Sequence, residues 1–201
     1  MKKVLVIGAN GLLGQAICNR LQLTYSVVQA SRSHPENFVD IADPGSLRRL
    51  FHKVGPVDAI ICTAGMVHFR GFKDATDADW QHGLANKLMG QVNVVRLGAE
   101  HVQPGGAVVL TTGVLAQYPM PGSAIVTTVN AAVEGFVKAA TLELTGQVRV
   151  NAVSPGWISE ALAAMGMDTA SGLPAAEVAK AYQVLLESDA TGAIQVAAKG
   201  A

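Results

Sequence analysis

The chain has 201 residues, of which 50% are hydrophobic and 5% aromatic, and its 15 basic residues are balanced by 15 acidic ones. This length fits one domain with a substantial aliphatic core. The balanced charge, without a Lys/Arg cluster, argues against nucleic acid or an anionic membrane as the main partner. Residues 4–7 are too short for a signal sequence and no later run is expected to span a bilayer, so we expect a soluble, cytoplasmic protein. Cys18 and Cys62 are expected to be buried free thiols, as in a reducing compartment.

The first twenty residues combine a strand pattern, a glycine turn and a helix pattern. Lys3–Ile7 is a short aliphatic run typical of a strand buried on both faces. From residue 12 onward apolar residues recur every fourth position, which predicts a helix. Between the two lies a G-x-x-G-x-x-G spacing, which allows a sharp turn, a close approach of backbone to ligand, and tight packing of helix on strand. Such a helix N-terminus favours a pyrophosphate, so a dinucleotide is expected to bind at Gly8, Asn10, Gly11, Leu12, Leu13 and Gly14. The alternative is a tight turn that merely needs glycine.

The second predicted strand, residues 25–30, ends in Ser31 and Arg32. At the end of this strand an acidic residue selects NAD through the ribose 2′-hydroxyl, whereas an arginine accommodates a 2′-phosphate. No acidic residue is nearby, so the sequence predicts NADP(H) as the cofactor. The alternative is that Arg32 is an ordinary solvated surface residue.

Short aliphatic runs and helical patterns alternate along the rest of the chain. Strands are expected at residues 38–41, 57–61, 107–110, 148–153 and 192–196, and helices at 47–54, 77–101, 123–144 and 175–186. This alternation indicates parallel strands joined by right-handed crossovers. The prediction is therefore a single α/β domain over residues 1–201 with a doubly wound parallel sheet (Rossmann fold) of about seven strands.

Five segments of the chain carry recognisable motifs: GANGLLG (8–14), VDAIICTAG (57–65), NAAVEGFVKAATLEL (130–144), VRVNAVSPG (148–156) and TGAIQV (191–196). Together they resemble the short-chain dehydrogenase/reductase family over essentially the whole chain. The resemblance implies that Asp40 and Ile41 meet the adenine and that Ala64 and Gly65 line the cofactor floor. It also implies that the nicotinamide is held by Pro155, Gly156, Trp157 and Ile158.

The catalytic residues of the family are not matched. Active members use Ser, Tyr and Lys with a helical Asn, and the match of NAAVEGF to the family's K-A-A-V places Asn130 at the lysine and Val126 at the tyrosine. The serine position falls on Thr112 or Gly113. Valine has no proton to donate, and a threonine hydroxyl is a weaker acid than a phenol with a pKa near ~10. The chain thus resembles an atypical, short member that lacks the Tyr-x-x-x-Lys pair.

Lys87 and Asn130 exchange the residue types expected at two family positions. The helical asparagine falls on Lys87, with Asn86 one step earlier, while the lysine falls on Asn130. If both side chains face the nicotinamide ribose, an ammonium is still supplied, from the opposite wall. The catalytic candidates are therefore Lys87, Thr112 and Asn130, and the alternative is that Lys87 lies at the surface.

An apolar substrate pocket is expected from Met66, His68, Phe69, Phe72 and Trp157. Tyr118 is an alternative acid if its loop swings inward, and His68 is another near neutral pH; the alternatives are a loop tyrosine packed on prolines and a surface histidine. Few residues separate Trp157 from Leu173, so we expect an open pocket with little helical cover. No Cys/His spacing typical of a metal site is found, and no metal is expected.

Two functions remain open from the sequence. The first is an atypical NADP(H)-dependent oxidoreductase acting on an unknown small apolar substrate, and the second is a catalytically inactive NADP(H)-binding sensor or scaffold. Small and apolar residues on the two long helices predict a homodimer, or a homotetramer built from it.

Overall fold

A computed structural model describes residues 1–200, in which six parallel strands form one sheet in the order β2-β1-β3-β4-β5-β6. The strands are β1 (Lys3–Ile7), β2 (Ser26–Ala30), β3 (Val57–Cys62), β4 (Val102–Thr111), β5 (Arg149–Pro155) and β6 (Ile194–Ala197). Every neighbouring pair is parallel. The predicted Rossmann-type fold class is confirmed.

Helices connect consecutive strands and cover both faces of the sheet. They are α1 (Leu12–Leu21), α2 (Pro44–Val54), α3 (Asp77–Gly83), α4 (Met89–Gly98), α5 (Ala124–Glu143), α6 (Ser159–Ala164) and α7 (Ala175–Glu187). Strand β1 shows how the layers are built, because Val4 and Val6 pack towards α1 and α7, while Leu5 and Ile7 pack towards α2, α4 and α5. The even spread of aliphatic residues in the strands therefore reflects a sheet buried on both sides.

Residues 38–41, expected to be a strand, pair with the sheet only through a bridge between Ser31 and Phe38. The backbone N–H of Asp40 donates instead to the Ser46 hydroxyl at 3.0 Å, and the chain turns directly into α2. The ladder therefore cannot extend beyond one bridge, and the sheet has six strands rather than about seven.

The helix expected over residues 77–101 is continuous in direction but not in hydrogen bonding. It consists of α3, a π-helical turn (Leu84–Leu88), α4 and a 3₁₀ turn (Ala99–His101). Between Trp157 and Leu173 the chain also forms α6 and a 3₁₀ turn (Thr169–Ser171), so this segment carries more helix than expected.

Helix α5 meets the length and composition of a membrane-crossing helix, contrary to the expectation that no run would do so. A core helix of a soluble protein passes the same test. Here Val129, Val133 and Val137 are fully buried, and Val133 and Val137 pack in the core cluster that also contains β5 residues. Its apolar composition is therefore explained in part by packing on the sheet.

Candidate cofactor and active site

The crossover that reverses the strand order lies between β1 and β3. Strand β2 lies on one side of β1, and the chain then crosses to β3 on the other side. In open parallel sheets, ligands bind in the crevice beyond the carboxyl ends of the strands at such a point. The glycine turn after Ile7 and the loop after Cys62 both lie there.

The glycine turn is packed too closely for side chains at two positions. Gly8 has φ of +92°, and a Cβ there would lie 2.6 Å from Thr63 Oγ1. A Cβ on Gly14 would lie 2.1 Å from the Gly8 carbonyl oxygen. Gly11, the N-cap residue, has no side chain to cap α1. Within the described chain, the N–H groups of Leu12, Leu13 and Gly14 therefore have no backbone acceptor, which leaves them available to an anion.

A cavity of about 440 Å³ opens above this turn. It runs from the end of β2 across β1 to the end of β3. The predicted cofactor residues that line it are Gly8, Asn10, Gly11, Ser31, Arg32, Asp40, Ile41, Ala64 and Gly65. Leu12, Leu13 and Gly14 are not among its lining residues, which also include Ser33, Thr63, Met66 and Asn86.

The end of the cavity near β2 carries its two charged residues and two serine hydroxyls. Among the lining residues Arg32 is the only basic one and Asp40 the only acidic one. Arg32 is exposed, and its guanidinium contacts only the Met66 sulfur, at 3.0 Å. The hydroxyls of Ser31 and Ser33 lie 3.4 Å apart, and Asn10 donates to Ser33 at 2.9 Å. This cluster of donors around one cation suits a phosphate group.

A smaller cavity of about 110 Å³ lies beyond the ends of β4 and β5. It brings together Pro155, Gly156 and Trp157 with Asn130, and its other lining residues are Phe69, Gly113, Val114 and Leu115. The rings of Phe69 and Trp157 stack with centroids 6.1 Å apart. Ile158 does not line it; this residue is the N-cap of α6 and forms a bridge with Leu173. The cavity is therefore neutral and largely apolar.

Lys87 is positioned between the two cavities. Its stem packs against Gly65, where a Cβ would lie 3.3 Å from Lys87 Cα and Cγ, and Gly65 lines the larger cavity. Its Nζ donates to the carbonyl oxygen of Thr112 at 3.5 Å, directly before Gly113 of the smaller cavity. No carboxylate forms an ion pair with Lys87 among residues 1–200. Burial of the ammonium lowers the pKa of Lys87 to about 8.

Thr112, whose carbonyl accepts from Lys87, also contacts Asn130 on α5 through its side chain. The Thr112 hydroxyl is turned towards α5, where it bonds the Asn130 carbonyl at 3.1 Å and Glu134 Oε1 at 3.2 Å. Thr112 is 3% exposed and lines neither cavity. Gly113 occupies the cavity wall instead, and a Cβ there would lie 3.0 Å from Asn130 Nδ2. The amide oxygen of Asn130 is buried and finds no donor among residues 1–200.

Glu134 was not expected from the sequence to belong to this region. Its carboxylate accepts from the Thr112 hydroxyl and from the Gln117 amide. Burial raises the pKa of Glu134, while the Thr112 hydrogen bond, the Lys138 charge and the Gln117 hydrogen bond act in the opposite direction. The sequence signal for it is an acidic residue one turn after Asn130 in an alanine- and valine-rich helix.

Other residues expected near the substrate lie away from the cavities. Tyr118 is 73% exposed and Phe72 79% exposed. His68 stacks on His82 with ring centroids 5.0 Å apart. Val126 is buried on α5. Across residues 1–200, no three His, Cys, Asp or Glu side chains are placed to hold a metal ion.

Three features occur together: the crevice where the strand order reverses, the free N–H groups at the start of α1, and the group of donors suited to a phosphate. They define a dinucleotide-binding α/β protein. The family model described as enoyl-(acyl carrier protein) reductase matches residues 22–196. The chain is 32% identical to the solved protein lin1944 from Listeria innocua, covering 98% of this chain and 99% of that one, with a TM-score of 0.93. A small-chain dehydrogenase solved in complex with NADPH is 25% identical, covering 99% of this chain and 97% of that one, with a TM-score of 0.89.

Curated relatives are more distant in sequence. Hydroxynaphthalene reductase arp2 of Aspergillus fumigatus is 27% identical over 67% of this chain, and the match spans only 52% of arp2. Versicolorin reductase stcU of Emericella nidulans is 26% identical over 78% of this chain and 69% of its own length. The chain belongs to the short-chain dehydrogenase/reductase family, a family of oxidoreductases that bind a nicotinamide cofactor.

Proposed function

We propose that the protein binds NADP(H) in the larger cavity. The observation that carries this proposal is the position of Arg32, the only basic residue lining that cavity, beside the Ser31, Ser33 and Asn10 donors. A ribose 2′-phosphate would be held there, since a guanidinium and hydroxyls are favourable partners for phosphate. The pyrophosphate would be held by the free N–H groups at the start of α1. The structure solved with NADPH in a related dehydrogenase supports the same cofactor.

Asp40 and Ile41 would then meet the adenine at the same end of the cavity. One Asp40 oxygen accepts from the Ala42 N–H at 3.0 Å, so its other oxygen is available to an amino group. The nicotinamide half would extend past Ala64 and Gly65 towards Pro155 and Gly156.

We propose that the protein is an atypical oxidoreductase acting on a small, neutral, apolar molecule. When bound, NADPH supplies a hydride. The smaller cavity is lined by Phe69, Trp157, Val114 and Leu115 among others. It has no charged lining residue and so favours an uncharged substrate. Lys87 would supply the ammonium near the nicotinamide ribose, and the Asn130 amide lies beside Gly113 at the end of β4.

The second candidate is a catalytically silent NADP(H)-binding sensor or scaffold. The specific observation in its favour is the absence of the family's hydroxyl acids from the smaller cavity. Val126 is buried where the tyrosine is expected, Gly113 lines the wall, and the Thr112 hydroxyl points to α5. General acid help is worth about 10²–10⁴-fold, so a protein without any donor would turn over very slowly.

One experiment separates the two candidates. The purified protein is titrated with NADPH by nicotinamide fluorescence and then assayed for NADPH oxidation against neutral ketones, aldehydes and quinones, with the matching carboxylates as controls. Oxidation with neutral substrates supports the oxidoreductase. Tight binding without turnover supports the silent protein, and the lack of NADPH binding contradicts both.

We further propose a homodimer, or a homotetramer built from it, formed by the outer faces of α4 and α5. Met89, Ala131, Ala139 and Leu142 are exposed there, Leu142 at 77%. The buried free thiols Cys18 and Cys62 are in keeping with a cytoplasmic location.

A further inference from the structure

We propose that the Lys87 ammonium is itself the proton donor that replaces the missing tyrosine. This inference rests on the proposed oxidoreductase function and adds the residue that would complete its chemistry. Reduction of a carbonyl needs one hydride at carbon and one proton at oxygen. The structure must therefore provide an acid next to the point where the two cavities meet.

The three tyrosines and Thr112 are not placed to donate a proton at this point. Among the three tyrosines, Tyr118 is 73% exposed, Tyr182 is buried against Thr111, and Tyr25 contacts Glu187 near the end of α7. None of them lines either cavity. The Thr112 hydroxyl is already bonded to two groups on α5. A phenol or threonine donor would require a different arrangement of these residues.

Lys87 itself lines neither cavity, but unlike the tyrosines it contacts Gly65, which lines the larger one, and Thr112, the residue before Gly113 of the smaller one. Its stem packs against Gly65 of the larger cavity, and its Nζ lies at the Thr112 carbonyl beside Gly113 of the smaller one. The 3.5 Å contact is long, so the ammonium retains donor capacity for another oxygen. The residue lies in a π-helical turn, an irregularity often found at functional sites. Asn86 holds this turn against the loop after β3 by accepting the Met66 N–H at 2.7 Å.

The surroundings of Lys87 keep its proton available near neutral pH. Burial lowers the pKa of Lys87 to about 8, whereas a nearby carboxylate would raise it. The titratable group acting on it from β3 is Cys62, whose own pKa burial raises to about 12, so this thiol stays neutral. On α5, the Glu134 carboxylate accepts from the Thr112 hydroxyl, and no ion pair joins it to Lys87 among residues 1–200. An acid with a pKa near the working pH is the most effective donor.

The proton transfer is balanced as follows. The N–H bond of the Lys87 ammonium breaks, an O–H bond forms on the substrate oxygen, and the neutral amine takes a proton back from solvent. The two electrons that reduce the carbonyl carbon arrive with the hydride that the proposed function assigns to the nicotinamide. Lys87 thus ends each cycle in its starting state.

The test begins with a readout that needs no turnover. The protein is labelled with ¹³Cε-lysine and its Hε/Cε signals are followed by NMR from pH 6 to about 11. The Lys87 signal is assigned as the one that is absent from the spectrum of Lys87→Arg. The Lys87 signal should titrate near pH 8, well below the ~10.4 of an ordinary lysine. Titration near the ordinary value overturns the inference even if the protein oxidises NADPH.

The second readout is the pH dependence of NADPH oxidation with a neutral carbonyl substrate. The parent rate should fall as the pH rises through about 8, because the donor must carry its proton. Lys87→Arg keeps the positive charge but not a usable proton, so the rate at pH 7 should fall by about 10²–10⁴-fold. Lys87→Met should reduce the rate by as much. The control is Lys180→Met, which should have the parent's rate because α7 lies on the opposite face of the sheet from α4.

Each outcome decides between the two proposals. Two results for Lys87→Arg overturn the role of Lys87 while leaving the oxidoreductase function intact. One is an unchanged rate of NADPH oxidation, and the other is a rate that still falls as the pH rises through about 8. Failure of the parent to oxidise NADPH with any neutral substrate overturns the proposed function, and the inference with it. Folding of the variants is checked by their melting temperatures and by NADPH binding.

Discussion

Replacing Arg32 by alanine tests the cofactor assignment most directly. In the free protein the Arg32 guanidinium forms a hydrogen bond only with a methionine sulfur. Binding a phosphate therefore breaks no strong interaction within the protein. Hydrogen bonds to charged groups contribute about 1.5–3 kcal/mol, equivalent to roughly 10- to 150-fold in affinity. Because Arg32 is exposed, solvent screening favours the lower end of that range, and NADPH should bind the parent at least ~10-fold more tightly than NADH.

The assay is a fluorescence titration of the parent and of Arg32→Ala with NADPH and NADH. Arg32→Ala should weaken NADPH by about 10-fold and leave NADH nearly unchanged. Arg48→Ala, on the exposed face of α2 and outside the cavity, is the matched control and should alter neither. Added salt should reduce the parent's preference for NADPH over NADH, because the contact between Arg32 and the phosphate is exposed and is screened. Equal affinities in the parent, or a preference that survives in Arg32→Ala, would refute the reasoning.

Three further perturbations follow from packing, assembly and protonation. Gly14→Ala should cost about 1–3 kcal/mol and lower the melting temperature, because its Cβ would meet the Gly8 carbonyl at 2.1 Å; an unchanged melting temperature would contradict the packing argument. Light scattering at micromolar concentration should give a dimeric or tetrameric mass that Ala139→Arg reduces, and a monomeric parent would contradict the proposed interface. Burial raises the pKa of Glu134 above its ordinary 4.5, so its stabilising contribution is present below that pH and is lost as the pH rises through the raised value. Glu134→Gln should remove this loss, so its melting temperature relative to the parent should increase with pH above 4.5, whereas a constant difference would rule out titration of Glu134.

The residues around the glycine turn could be predicted because their roles depend on local backbone geometry. A short aliphatic strand followed by glycines at 8 and 14 specifies a close strand–helix contact, and the structure places a backbone oxygen 2.1 Å from where a Gly14 Cβ would be. The arginine after β2 could be located in the same way, because parallel strands end at one edge of the sheet. These inferences need only sequence spacing and strand direction.

The environment of Thr112 could not be predicted, because it depends on contacts between distant segments. The sequence left Thr112 and Gly113 as equal choices for one position, and only the register of β4 against α5 shows that Gly113 lines the cavity. Glu134 enters the region through the same contact. The π-helical turn at Lys87 cannot be read from the apolar periodicity. The missing strand at residues 38–41 reflects a hydrogen bond that the Asp40 N–H donates to the Ser46 hydroxyl.

The uncapped start of α1 makes the stability of the protein depend on its ligand. Three successive N–H groups there lack a backbone acceptor in the described chain, so a bound pyrophosphate would complete the first turn of the helix as a capping residue normally does. A ligand present at 100 times its Kd stabilises the folded state by about 2.7 kcal/mol. For a chain of this size that raises the melting temperature by roughly 5–10 °C. Amide hydrogen exchange should slow first at Leu12, Leu13 and Gly14, so the beginning of this helix would report whether a ligand with a pyrophosphate is bound.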